Sequence, residues 1–479
     1  MVYSKIAACP TCGKKTLLRI QNGGYLNKYP IRVNCMNCKT LIKGVYGMNS
    51  MPLGLKLYNA GIQEPVVEVK KDKNNVNSQV FVKNADYIAE ISGELPCRII
   101  QNNSGQLPLT PFMSSCERLS SIPGRIDRLK DFVPNMEIWN KQKSIAFQLL
   151  SDGSIEYISK ALKNKFGDYY YECDHYLKSL HCLQEIVLEE ARYLFVNTTI
   201  EKYISSTIDS LSFIDKTKII DFINEIGGAE ELINLYRKSI EVFTDFMDVY
   251  EYLLPAETYM YYTVKDKELI NVSTCTFDDI KSFYQDAYEA LASLLFIPVC
   301  LDNIYVRGSY NLFNEKYNRI KYNGVKNFEG ERDIEWYKLL DNGIKVNRIN
   351  TKEKFEKLIN LPANNKLRNG IGHNNFSYDG INQLVTTYGL KNQDKIEYQS
   401  SLMDVAIDCL NIAKSSVIFS EIILFLLRTI FNREGIHTIV HPSFYENIDA
   451  YDKCPCGSGL SYKRCCMKTM DKMMKNIKQ

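Results

Sequence analysis

Histidine is scarce in this chain, with five among 479 residues, and tryptophan is scarcer, with two. Proton transfer near neutral pH therefore has few imidazoles to draw on. The first fifty residues contain eight lysines or arginines and no aspartate or glutamate. A secretory leader is not expected, because Met1–Pro10 is short, partly polar and already enters a cysteine motif. The longest apolar run, Val417–Phe431, is broken by Ser420, Glu421 and Arg428. It is too short and too charged for a membrane span, which predicts a buried helix and no membrane partner. These absences point to a cytoplasmic protein.

What is present is a chain of ordinary composition, 45% hydrophobic and 24% charged, long enough for a sizeable core and about three domains. Charge is unevenly spread. Lys453–Gln479 carries seven basic residues against one acid, Asp471, so both ends are basic while the whole chain is only +3. Basic ends suit nucleic acid or another polyanion, and equally a solvated lysine surface. Of fifteen cysteines, eight fall into two clusters with metal-type spacing, which argues against disulfides and for a reducing compartment.

The first cluster is Cys9-x-x-Cys12 followed by Cys35-x-x-Cys38. Each C-x-x-C forms a tight turn that aims two sulfurs at one ion, and two such turns on neighbouring hairpins close a tetrahedral site. Soft thiolates favour Zn²⁺, and four of them leave no open position for catalysis. The pattern resembles a zinc ribbon. A structural role is expected, with nucleic-acid contact through Lys14, Lys15, Arg19, Arg32 and Lys39 as a secondary reading. At the other end, Lys453–Cys466 reads K-C-P-C-G-S-G-L-S-Y-K-R-C-C. It resembles the SEC-C zinc motif, which implies Cys454, Cys456, Cys465 and Cys466 as ligands and contact with a protein or the ribosome. Leu460 stands where a basic residue is common in that motif.

Between these ends, Val45–Val133 is rich in turn residues, with short strand-like runs at Val66–Val69, Val80–Val82 and Ile88–Ile91. Apolar spacing predicts helices over Ile155–Phe166, Asp174–Phe195, Thr217–Tyr252 and Phe277–Tyr305. Thr351–Ile359 reads as a short helix, and Tyr398–Phe431 as a closing helix or helix pair. His175 and His181, near Cys173 and Cys182, lack a second ligand pair and read as packing residues. The tyrosines at 169–171, 252, 259, 261 and 262 could stack bases but more often fill helix interfaces.

Chemistry concentrates at Lys366–Asn375, K-L-R-N-G-I-G-H-N-N. Arg368 presents a planar cationic fork that suits phosphate, and His373 can exchange a proton near neutral pH. On a helix Asn369 and His373 are four apart and share a face. Gly370 and Gly372 each cost a helix roughly 1 kcal/mol relative to alanine. They predict a late helix start or a close-packed neighbour. The segment N-N-F-S-Y-D-G-I-N-Q-L-V-T-T-Y-G predicts a hairpin.

Arg368-x4-His373 resembles the R-x(4–6)-H signature of HEPN domains, of which many are metal-independent ribonucleases. The resemblance implies a mainly α fold: an HEPN-like bundle over 274–432. A zinc ribbon (1–50), a small α+β region (51–134) and a helical region (135–273) precede it, and a SEC-C module (450–470) follows. It further implies endoribonuclease chemistry with Arg368, Asn369 and His373 as catalytic residues. RNA is the implied substrate, Zn²⁺ is structural at two sites with no cofactor for catalysis, and a homodimer and a toxin or antiphage role are expected. The competing expectation is a non-catalytic adaptor that binds RNA, ribosomes or a protein. A third is a helical module that binds a nucleotide without cleaving it.

Overall fold

Two hairpins of seven-residue strands begin the fold, each wrapped around one C-x-x-C pair. Strands β1 (Val2–Ala8) and β2 (Lys15–Gln21) run antiparallel from Val2↔Gln21 to Ala8↔Lys15. Strands β3 (Lys28–Asn34) and β4 (Leu41–Gly47) repeat the arrangement from Lys28↔Gly47 to Asn34↔Leu41. The structure is a computed structural model; it describes residues 2–22, 26–48, 54–70, 79–102, 139, 175–194, 214–260, 270–319, 332–349, 352–363, 365–389, 395–436, 445, 448–456 and 458–471. The predicted helix at Ile155–Phe166 and the tyrosines at 169–171, 261 and 262 lie outside these residues.

Further strands are β5 (Gly54–Leu57), β6 (Gly61–Gln63), β7 (Val67–Lys70), β8 (Gln79–Val82), β9 (Tyr87–Ile91) and β10 (Ile99–Gln101). Late in the chain come β11 (Phe376–Asp379), β12 (Leu384–Tyr388) and β13 (Ile396–Ser401). They form sheets ordered β10-β9-β2-β1-β6, β3-β4-β5, β7-β8 and β11-β12-β13. Only β2 and β9 pair in parallel among the described strands. Ile6, Leu17, Val82 and Ile88 make an apolar cluster on the five-stranded sheet.

The helices are α1 (Tyr176–Leu194), α2 (Lys216–Glu225), α3 (Gly228–Met260), α4 (Phe277–Ala292), α5 (Phe296–Asp302), α6 (Ile334–Leu339), α7 (Asn342–Asn347), α8 (Asn365–Gly372) and α9 (Leu402–Phe431). The single helix predicted over Thr217–Tyr252 is two, because Gly227 and Gly228 both take left-handed φ, 109° and 75°. That conformation is open to glycine at no steric cost and ends α2. The run Phe277–Tyr305 likewise divides into α4, α5 and a π-helical turn that stops at Gly308, φ 81°.

A mainly α fold with a small α+β region was the expectation; the structure overturns it. Among the described residues four sheets accompany the helices, and the class is α+β. The strands are mostly short, and several alternate weakly. β13 (I-E-Y-Q-S-S) buries only Ser400 fully, so it carries no hydrophobic period and was absorbed into the predicted closing helix. Ser401 marks the change from strand to helix: its Oγ accepts the Asp404 N–H at 3.1 Å, which caps α9.

The chain forms two compact units, each discontinuous in sequence. One comprises Met1–Val133, Asp245–Asp286 and Asn364–Leu410; the other comprises Pro134–Thr244, Ala287–Ala363 and Asn411–Gln479. In the first, Gln383 on the β11–β12 turn holds Val272 by both backbone groups at 2.7 Å. In the second, Tyr236 Oη donates to Gln184 Oε1 at 3.0 Å and Gln184 Nε2 donates to Ser420 Oγ at 2.9 Å, a satisfied polar thread through an apolar core. Helix α9 is the buried helix expected from its run. The most apolar window of Leu402–Glu434 is 89% buried. A helix apolar on every side belongs in an interior.

Asp408 on α9 is an exception to that apolar character. Burial pushes its carboxyl up to about 7, and Asp404 one turn earlier adds to the effect. An unfolded aspartate titrates near 4. The folded chain therefore retains a proton that the unfolded chain releases, and stability falls as pH rises from about 4 through 7. Asp408→Asn removes that linkage. Thermal unfolding should show the variant more stable than wild type at pH 8, by about 1–3 kcal/mol after solvent screening, with the gap closing toward pH 4. Parallel curves across that range would contradict the assignment.

Candidate functional site

Each N-terminal knuckle follows the same hydrogen-bond plan. Cys9 N–H donates to the Lys14 carbonyl at 2.9 Å and Gly13 N–H to the Cys9 carbonyl at 3.0 Å. In the second, Cys35 N–H donates to the Thr40 carbonyl at 2.9 Å and Lys39 N–H to the Cys35 carbonyl at 2.9 Å. The residue after the second cysteine is left-handed in both, Gly13 at φ 72° and Lys39 at φ 64°. Folded this way, the two turns bring Cys9 Sγ within 3.4 Å of Cys38 Sγ and Cys12 Sγ within 3.6 Å of Cys35 Sγ. All four sulfurs lie within 4.8 Å of one another.

The C-terminal cluster is built differently. Cys454 N–H donates to the Leu460 carbonyl at 2.8 Å, and Gly459 reverses the chain at φ 81°. A 3-10 turn over Tyr462–Arg464 then delivers Cys465 and Cys466. Cys465 Sγ lies 3.4 Å from Cys456 Sγ and 3.6 Å from Cys466 Sγ, again with all four sulfurs within 4.8 Å. A tetrahedral ion with Zn–S of about 2.3 Å needs sulfurs about 3.8 Å apart, whereas a disulfide needs about 2 Å. Both donor sets fit Zn²⁺. Cys97, Cys275, Cys300 and Cys409, outside both clusters, are buried, and burial raises every one of their thiols. They are packing residues and poor nucleophiles.

A third cluster joins Asp302, Glu353 and Glu356, all buried, with carboxylate oxygens within 4.8 Å. Its charge is met internally. Arg307 forks onto Glu353 at 3.2 and 3.3 Å, Lys316 reaches Glu356 at 2.6 Å, and the Lys354, Phe355 and Glu356 amides donate to Asp302. This ionic network orders residues 353–358. Among the basic residues offered for nucleic-acid contact, Lys14 pairs with Asp86 at 2.9 Å, Arg19 with Glu90 at 3.6 Å, Arg32 with Asp279 at 3.4 Å and Lys39 with Asp379 at 4.0 Å. Arg19 is buried, so its charge serves the sheet interior. His175 stacks edgewise on Phe431 at 5.0 Å, and His181 is buried with its imidazole held well below the usual range by burial and then by Arg428.

Arg368, Asn369 and His373 lie on or just beyond α8. Arg368 Nη1 donates to Asn369 Oδ1 at 2.8 Å, with both side chains half-buried. His373 is exposed and caps the helix end; its N–H donates to the Asn369 carbonyl at 3.0 Å. The helix terminates as a Schellman motif: Asn374 N–H donates to the Ile371 carbonyl at 3.0 Å and Asn375 N–H to the Gly370 carbonyl at 2.7 Å. Asn374 supplies the left-handed residue, φ 51°. The expected hairpin follows directly, and β11 pairs with β12 from Phe376↔Thr387 to Asp379↔Leu384.

Gly370 is explained by a close neighbour. A Cβ there would fall 2.5 Å from Thr387 Cγ2 and 2.8 Å from Thr387 Cβ on β12. Gly372 has no such constraint, with Gln285 Nε2 the nearest atom at 3.5 Å. The hairpin turn is fixed at its far end too. A Cβ on Gly380 would fall 2.5 Å from Asn34 Nδ2, so this turn abuts the second cysteine knuckle. Phe277 at the start of α4 packs edgewise on Phe376 at 5.2 Å. The role of Asn375 as a clamp was missed from sequence; an Asn-Asn pair after a helical run was the available signal.

Residues 452–468 match the SEC-C motif. This agrees with the C-terminal cysteine cluster. No curated protein and no solved structure matches the chain.

Metal analysis of protein purified under reducing conditions should find two zinc ions per chain, and Cys35→Ser should retain one. A wild type without zinc would refute the assignment. Gly370→Ala should destabilise by about 1–3 kcal/mol through overpacking, although alanine is the better helix former by roughly 1 kcal/mol. Urea unfolding measures this, and Thr387→Ala in the same chain should recover part of the loss. An unchanged midpoint in Gly370→Ala would show that β12 yields.

Proposed function

We propose that the chain is a metal-independent endoribonuclease with its site at Arg368, Asn369 and His373. The observation that carries the reading is the exposed imidazole at the end of α8, one turn after Asn369, whose side chain accepts a hydrogen bond from the Arg368 guanidinium. The resemblance of Arg368-x4-His373 to the HEPN ribonuclease signature adds to it. In the reaction, the ribose 2′-oxygen attacks the adjacent phosphorus as His373 takes the hydroxyl proton. The new O2′–P bond forms while the P–O5′ bond breaks; the 5′-oxygen takes a proton from water, and the His373 imidazolium returns its proton to solvent. Arg368 stabilises the charge that gathers on the non-bridging oxygens. The products are a 2′,3′-cyclic phosphate and a 5′-hydroxyl. The nucleophile is part of the substrate and already adjacent to its target, which supplies the proximity that a second reactant would need. A homodimer with paired motifs and a role in toxin or antiphage defence belong to the same proposal and rest on the resemblance alone.

A second reading, a non-catalytic adaptor, is favoured by the C-terminal module. Tyr451 is 80% exposed and Leu460 50% exposed there, with Lys463 Nζ 5.3 Å from the Tyr451 ring. Such a surface suits contact with a protein or a ribosome.

The readings separate on one assay. Zinc-loaded wild type, His373→Ala and Arg368→Ala are incubated with a mixed RNA pool in magnesium-free buffer, and product ends are identified. Cyclic-phosphate ends from wild type and at least a hundredfold slower cleavage by either variant are expected. Equal cleavage by wild type and His373→Ala would remove the mechanism, and no cleavage by wild type would leave the adaptor.

A further inference from the structure

We propose that Asn375 is a positioning residue for His373, acting through the helix terminus; the inference rests on the nuclease reading above and deepens it. Asn375 is half-buried and uses both backbone groups and its side chain. Its N–H donates to Gly370 at 2.7 Å, and its carbonyl accepts the Tyr388 N–H at 3.1 Å. Its Nδ2 donates to the Tyr388 carbonyl at 2.9 Å and the Gly389 carbonyl at 3.2 Å. One residue thus ties the last turn of α8 to the far end of β12. His373 stands two residues before it, at the helix cap, with an exposed side chain.

An exposed imidazole on a short helix is aimed by its backbone. Helix α8 has only eight residues, too few to be stable alone, so its end is defined by what grips it. Two grips exist. Gly370 lies against Thr387 in the interior, and Asn375 closes the terminus from outside. Removing the side-chain amide of Asn375 leaves the backbone cap bonds and the Gly370 contact, and frees the terminus from the Tyr388 and Gly389 carbonyls. Since an ångström of misplacement can cost a hundredfold in rate, the loss should fall on turnover more than on RNA binding.

The test compares wild type, Asn375→Ala and Ser377→Ala, all zinc-loaded and full length. Ser377 Oγ and Tyr388 Oη are 2.8 Å apart on the same hairpin, so Ser377→Ala controls for general loosening. Asn375→Ala should lower kcat at least tenfold with KM within twofold, while Ser377→Ala stays within twofold of wild type in both. Imidazole NMR with labelled histidine, the His373 signal identified by its loss in His373→Ala, should show that signal broadened or shifted in Asn375→Ala alone. Amide hydrogen exchange should show faster exchange at 370–375. If wild type cleaves and Asn375→Ala keeps its kcat, the proposal is overturned. If wild type does not cleave, the nuclease reading falls. The NMR and exchange measurements then decide the positioning by themselves: an unchanged His373 signal and unchanged exchange overturn it. Should Asn375→Ala fail to fold, Asn375→Ser, which can keep one of the two donated bonds, is judged by the same criteria.

Discussion

Four sulfurs cannot all ionise within 4.8 Å of one another unless a cation is placed among them. That constraint governs the N-terminal region. The stretch has no acidic residue before position 51 and short strands, so it gains little from charge pairing within itself. Its two hairpins belong to different sheets, and the four sulfurs join them beside the Thr40–Thr11 hydroxyl bond at 2.8 Å and the Tyr29 hydroxyl donated to the Gln21 carbonyl at 2.8 Å. The repeat of strand, knuckle and strand is visible in the matching hydrogen bonds of Cys9–Lys14 and Cys35–Thr40. Lys39 accepts a left-handed φ to preserve it, which costs of order 1 kcal/mol that glycine at position 13 avoids. From β3, Arg32 then reaches Asp279 at 3.4 Å and the Ser273 carbonyl at 2.8 Å, which joins the ribbon to the start of α4.

Local chemistry was the most legible part of the sequence. The N-terminal cysteine cluster could be read from spacing, because tetrahedral ligation by C-x-x-C turns demands it, and the C-terminal cluster from its resemblance to the SEC-C motif. The short runs near Val67, Val80 and Ile88 alternate enough to be recognised and occur as β7, β8 and β9. So does the hairpin after His373, which has turn residues between two apolar stretches. The closing helix was legible because an apolar run of that length has nowhere to lie except an interior.

What could not be read was decided by distant contacts. β13 has no hydrophobic alternation; it is a strand because β12 offers it a free edge. The five-stranded sheet draws β9 beside β2 in parallel across some seventy residues of chain, a pairing that no local pattern announces. The break between α2 and α3 was within reach, since Gly227-Gly228 marks it, but the apolar period continues across both helices and hid it. Likewise the glycines of the R-x4-H segment signalled close packing without naming Thr387 as the neighbour. The partners of Lys14, Arg19 and Arg32, the carboxylates of Asp86, Glu90 and Asp279, were also out of reach, because only the fold brings them together.

The approach of Gly380 to Asn34 bears on how inhibition would be interpreted. The turn that carries β11 into β12 leans on the second cysteine knuckle, and β12 in turn supports the helix that ends at His373. Chelators and peroxide, which attack thiolate–metal bonds, would therefore undermine a scaffold that reaches as far as the imidazole. On the proposed nuclease reading, cleavage lost in their presence would be a mechanical injury that resembles the signature of a metalloenzyme.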